Sequence, residues 1–109
     1  MAALADDPNK TWTAPDLIAR GAKVYQANCA ACHQANGQGV AGAFPALAGS
    51  KVVANTPEQI HIMLNGKNAM PSWKALSDVE LAAVATYVRN SFGNKAGEVQ
   101  AADFKAARK

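Results

Sequence analysis

Residues 29–33 read Cys29-Ala30-Ala31-Cys32-His33. Two thiols three positions apart lie on one turn of helix, close enough to bond the two vinyl groups of a single haem, and the adjacent imidazole then points at the iron from below. Other chemistries use the same residue types. A thioredoxin-like redox pair requires a strand–helix alternation around the motif, which the flanking sequence does not offer. A zinc site would need Cys29, Cys32, His33 and His61, which are all the cysteines and histidines of the chain. It lacks a second pair at finger spacing, and the adjacency of Cys32 and His33 makes tetrahedral geometry awkward. A Cys29–Cys32 disulfide would close a tiny loop and stabilise little.

Upstream of the motif, Thr13-Ala-Pro-Asp16 reads as a helix start: Thr13 caps, Pro15 suits the first turn and Asp16 faces the positive helix end. Leu17, Gly21, Val24 and Tyr25 then share one face, and the helix is predicted to run to about Asn28. Downstream, residues 33–55 are rich in Gly, Ala, Asn and Gln, with Pro45 among them. No period holds there, so an irregular loop that wraps something is expected.

Thr56-Pro57-Glu58-Gln59 reads as a capping box, and Ile60, Met63 and Leu64 form a short apolar stripe ended by Asn65-Gly66. Ser77-Asp78-Val79-Glu80 is a second box, followed by Leu81, Val84, Ala85 and Val88 at helical spacing as far as Asn90–Gly93. No strand and no internal repeat emerge. The expected organisation is a linker over residues 1–12, one domain over 13–94, and a tail of weak helical character over 95–109.

The loop between these two helices, residues 67–76, holds Met70-Pro71 and Trp73. Proline stiffens that loop, and a soft thioether on a stiff loop suits a sixth iron ligand. Met70 is therefore the expected partner of His33 on the iron. Met63 reads as helix packing, His61 as solvent-facing and Met1 as an added start residue. Histidine–methionine ligation raises the reduction potential. With both axial positions filled, the iron is not readily open to oxygen or peroxide.

Pro45 is expected to lend a nearby backbone carbonyl to the other ring N–H of His33. Phe44, Leu47, Trp73 and Leu76 are candidate pocket walls, Trp73 alternatively standing at the haem edge. Tyr25 and Tyr87 are expected to pack where the first and last helices cross, with Gly21 allowing close approach.

Composition agrees with a domain completed by a cofactor. The chain has 109 residues and is 50% hydrophobic, but 25 residues are alanine and aromatics make up only 6%. Such a polypeptide has a thin core of its own. The net charge of +3 comes without a run of like charges, which gives nucleic-acid binding no support. Lys51, Lys67, Lys74, Arg89, Lys95, Lys105, Arg108 and Lys109 read as a solvated surface, or as steering toward an acidic redox partner. No stretch approaches the ~18 apolar residues of a membrane span. The first residues lack the basic start and apolar stretch of a signal peptide.

Residues 15–93 resemble the class I cytochrome c family, through Gly21 and Tyr25, CAACH, FPALAGS, a short middle helix, the methionine loop and a last helix bearing a tyrosine. The resemblance implies an all-α fold of three to five short helices around one covalently bound haem c, with the first and last helices crossing. The segments NGQGVAGAFPALAGSKVV, AMPSWKALSDVELAAVATYVRNSFGN and KAGEVQAADFKAARK further resemble the cytochrome domain fused to subunit II of bacterial haem–copper cytochrome c oxidases.

That narrower likeness implies a domain that takes electrons from a soluble donor cytochrome or other small redox protein. It would pass them to a dinuclear-copper domain and catalyse nothing by itself. The parent would sit at the outer (periplasmic) face of a bacterial inner membrane, and the chain reads as an excised, monomeric C-terminal piece with no membrane insertion of its own. A free-standing periplasmic shuttle is the alternative. Docking is expected around Val40–Phe44 and Met70–Trp73.

Overall fold

A computed structural model describes residues 10–40, 46–67 and 70–108. Six helical segments lie among them: α1 (Ala14–Asn28), α2 (Ala30–His33), α3 (Lys51–Ala54), α4 (Thr56–Asn65), α5 (Asp78–Arg89) and α6 (Ala101–Ala107). Outside the helices, the described residues hold one isolated antiparallel bridge, Lys67 to Met70. The all-α expectation is met. Six segments exceed the expected three to five because α2 and α3 are single turns, too short to carry a period, and α6 forms in the supposed tail.

The caps show which residues start each helix. The Thr13 hydroxyl accepts from Asp16 N at 3.3 Å. Ser77 and Glu80 form the reciprocal box, Ser77 N donating to Glu80 Oε1 at 3.0 Å and Glu80 N to Ser77 Oγ at 3.1 Å. At α4 the cap moves back one residue from the expected Thr56. Asn55 Oδ1 accepts from Glu58 N at 3.1 Å, asparagine being the better cap of the two. In the stretch expected to be irregular, Ser50 Oγ accepts from Val53 N at 3.2 Å and starts α3.

α5 is buried on nearly every side: Val79, Leu81, Ala82, Ala83, Val84, Ala85, Thr86, Val88 and Arg89 are all inside. Small residues make this possible, because α1 lies almost backbone to backbone on α5. A Cβ added at Gly21 would sit 2.0 Å from the Ala83 carbonyl oxygen and 2.6 Å from Tyr87 Cβ. The predicted crossing, with Gly21 at its closest point, is therefore present.

Two apolar clusters flank α5. One gathers Trp12, Leu17, Ile60, Leu64, Val79, Leu81, Val99, Ala101 and Phe104. The other gathers Tyr25, Val53, Val84 and Val88, with Cys29, Leu47 and Phe92 against them. Met63 packs on both.

Residues near both ends of the described chain pack into the same core. Trp12 is buried, and so are Val99, Ala101 and Phe104. Gln100 binds the Trp12 backbone twice, its Oε1 accepting from Trp12 N at 2.8 Å and its Nε2 donating to Trp12 O at 2.9 Å. The buried Thr86 hydroxyl donates to Val99 O at 3.2 Å and accepts from Val99 N at 3.0 Å.

Arg89, read from sequence among the surface cations, is buried at 5% exposure. Its guanidinium donates to the carbonyls of Val53 (2.7 Å), Ala96 (2.6 Å) and Gly97 (3.3 Å) and to Gln59 Oε1 (3.3 Å). Burial pulls its pKa below the usual value. The acceptors let the charge stay inside, and they bind α3, α4 and the 96–97 turn to the end of α5.

Gly21→Ala is predicted to lose about 2–3 kcal/mol, the upper range for overpacking a closed contact. Denaturant unfolding of the haem-loaded chain checks this; an unchanged midpoint would mean that the two helices do not touch there.

Candidate functional site

The CAACH residues sit where α1 gives way to α2. Cys29 caps α1, its N–H donating to Tyr25 O at 2.8 Å, and it opens the next turn by accepting from His33 N at 3.0 Å. Gln34 N closes that turn on Ala30 O at 2.8 Å. Gln34 itself takes φ 69° and ψ 158°, a region costly to a residue with a Cβ, on the order of 1–3 kcal/mol.

The surroundings hold Gln34 there. The Tyr25 hydroxyl donates to Gln34 O at 2.6 Å, and Gly37 N donates to the same carbonyl at 3.1 Å. Gly39 N donates to His33 O at 2.9 Å, so the chain after the motif folds back onto it.

Tyr25 is fixed in turn by rings. Its centroid is 5.4 Å from Tyr87 and 5.5 Å from Phe92, and Phe92 stands edge-on to Tyr87 at 5.9 Å. Such pairs add about 0.5–1.5 kcal/mol each beyond their burial. Gly37 is required beneath this group: a Cβ there would fall 2.5 Å from the Phe92 ring. Phe92 was not singled out in the sequence, since it follows a helix end, takes φ 57° and belongs to no periodic face. The turn below is tied by Asn94, whose Nδ2 donates to Leu47 O and Val88 O, both at 3.0 Å, and whose Oδ1 accepts from Gly49 N at 2.8 Å.

Both cysteines are unpaired, and burial, then the neighbouring Cys32, pushes the Cys29 thiol up to about 11. His33 is 9% exposed. His61 lies apart on α4, exposed, within 3.2 Å of the Asn65 amide. Among the described residues no three His, Cys, Asp or Glu side chains group as metal-ion ligands. Two unpaired thiols and a buried imidazole beside an apolar wall fit a large apolar disc held covalently better than they fit zinc.

Of the other candidates, Leu47 joins the cluster of Cys29 and Tyr25, whereas Trp73 and Leu76 pack on the opposite cluster with Leu64 and Val79. Met70 is half-buried in its loop, exchanging both backbone hydrogen bonds with Lys67, at 3.0 and 2.9 Å. Phe44 and Pro45 lie outside the described residues, so the carbonyl expected near His33 does too. Val40, beside that stretch, is the large hydrophobic most open to solvent among the described residues, at 40%.

With this geometry in view, the comparisons identify the family. A family model described as cytochrome c oxidase, cbb3-type, subunit III matches residues 16–88. A cytochrome c subunit of a quinone alcohol dehydrogenase from Gluconacetobacter polyoxogenes is 40% identical over 98 residues, spanning 76% of this chain and 21% of that one. Cytochrome c-552 of Thermus thermophilus is 37% identical over 95 residues, 70% of each chain. Cytochrome c6 of Leptolyngbya boryana is 41% identical over 75 residues, 64% of this chain and 87% of that one.

The chain belongs to the cytochrome c family. It is an electron carrier with one covalently bound haem c, and Cys29 and Cys32 fit the attachment motif. It spans about a fifth of the length of the dehydrogenase subunit.

Burial raises the Tyr25 phenol to about 12 from 10.0, with smaller contributions from Cys29 and Tyr87. Its folded pKa exceeds its unfolded one, so its contribution is whole below about pH 10 and is lost as pH rises toward 12. Melting temperature across that window is predicted to fall more steeply for the native chain than for Tyr25→Phe. Equal slopes would contradict a buried phenol.

Proposed function

We propose that this chain is a single-electron carrier in which Cys29 and Cys32 form thioethers to the haem, His33 is the proximal ligand and Met70 the sixth. It receives electrons from a soluble donor cytochrome or other small redox protein and delivers them to the dinuclear-copper centre of a terminal oxidase, outside the cytoplasmic membrane. The observation that carries the reading is the buried His33 directly behind two unpaired thiols, in a turn that Tyr25 pins from α1.

When bound, the haem iron supplies the one-electron couple. The protein supplies an apolar wall, a rigid imidazole mount and, through Met70, a soft donor that favours the reduced state. Holding both ligands still keeps reorganisation on electron exchange small. Leu47, Trp73 and Leu76, with Phe44 and Pro45, complete the surroundings in this reading.

The match to an oxidase subunit model supports the terminal-oxidase role. No helix among the described residues is long and apolar enough to cross a membrane. A second reading, a free shuttle between complexes, is favoured by the relatives of similar size: 70% of the c-552 chain and 87% of the c6 chain are covered. In both readings docking is weak and transient, with Lys67 and Lys74 available for steering.

One set of measurements tests the proposal. The ferric protein should show the weak near-infrared band of sulfur on iron, and Met70→His should lose it and lower the reduction potential. The reduced wild type should pass its electron to a soluble dinuclear-copper oxidase domain faster at low salt than at high salt. A band that survives Met70→His would remove Met70 as ligand; copper that stays oxidised would favour the shuttle.

A further inference from the structure

The loop that carries Met70 is fastened from two directions. From α4, Met63 O accepts from Trp73 N at 2.9 Å and Leu64 O accepts from the Ser72 hydroxyl at 2.5 Å. The second fastening comes from the far end of the chain. Arg108, just past α6, donates from Nη1 to Lys74 O at 3.0 Å and from Nη2 to Leu76 O at 2.7 Å. Its Nε meets Asp78 Oδ1 at 2.5 Å, in the first turn of α5.

One planar guanidinium thus joins the last residues of the methionine loop to the start of the next helix. Its rigid fork can hold three acceptors at once, which a lysine ammonium on a flexible stem cannot match. The pair is partly shielded, with side-chain exposures of 29% for Arg108 and 15% for Asp78, so it exceeds an ordinary surface ion pair. α6 does not swing freely beneath it, since Phe104 and Ala101 are wholly buried.

We infer that Arg108 is a positioning residue for the sixth ligand: it holds the 74–76 end of the loop shut, and through it α6 sets how readily an outside ligand displaces the Met70 sulfur. This rests on Met70 as the iron ligand. Displacement requires the loop to open locally, and each charge-assisted bond to its carbonyls opposes that opening. The role is distinct from attachment or ligation, and it assigns work to a segment beyond the domain expected from sequence.

The test is imidazole binding to the ferric, haem-loaded chain, followed by loss of the near-infrared sulfur band. Arg108→Gln is expected to speed entry about tenfold, by removing bonds from a charged donor, and to raise hydrogen exchange at the Leu76 amide. Thr13→Ala is the control: it costs about 1 kcal/mol at the α1 cap, far from the loop in sequence, and should leave both readouts unchanged. Equal acceleration in the two variants, or none in Arg108→Gln, overturns the inference while leaving Met70 as ligand. A wild type without the sulfur band overturns both.

Discussion

Where α1 crosses α5, backbone meets backbone. Gly21 is the residue that permits it, because a single added carbon would overlap the Ala83 carbonyl. That close approach brings Tyr25, one turn further on, against Tyr87 and Phe92, and directs its hydroxyl to the Gln34 carbonyl. The turn bearing both thiols and the histidine ends at that carbonyl. The attachment site is therefore a consequence of helix packing several residues away. A strained Gln34 persists because two donors and the loop after it leave no alternative.

A thin, alanine-rich core makes this economical. Alanines 82, 83 and 85 let α5 be covered on almost all sides, but they add little buried area. The larger contributions come from a few residues: Leu17, Leu64, Tyr25 and Phe104. Polar groups do the remaining fastening from inside, Thr86 on Val99 and Arg89 on three carbonyls and a glutamine. A haem held by Cys29 and Cys32 would supply area the side chains do not.

What was legible in the sequence was local. The CAACH spacing, the Thr13 and Ser77 caps, and the Gly21–Tyr25 face each involve residues within a turn or two of one another. The single turn after Ser50 escaped because four residues show no period. Arg89 read as a surface cation because the carbonyls that hold it, at 53, 96 and 97, are chosen by the fold. The same holds for the last fifteen residues. Their apolar positions are few, and only packing on α5 and Trp12 shows Val99 and Phe104 to be core. The Cys29 and Trp73 neighbourhoods separated into two clusters, which no spacing rule in the sequence encodes.

Mass analysis after tryptic digestion tests covalent attachment most directly. Cleavage beside Lys23 and Lys51 isolates residues 24–51. That peptide, taken from pigment-bearing chain washed in acidified organic solvent, should carry one haem and no alkylatable thiol. A colourless peptide with Cys29 and Cys32 both open to alkylation would contradict the assignment.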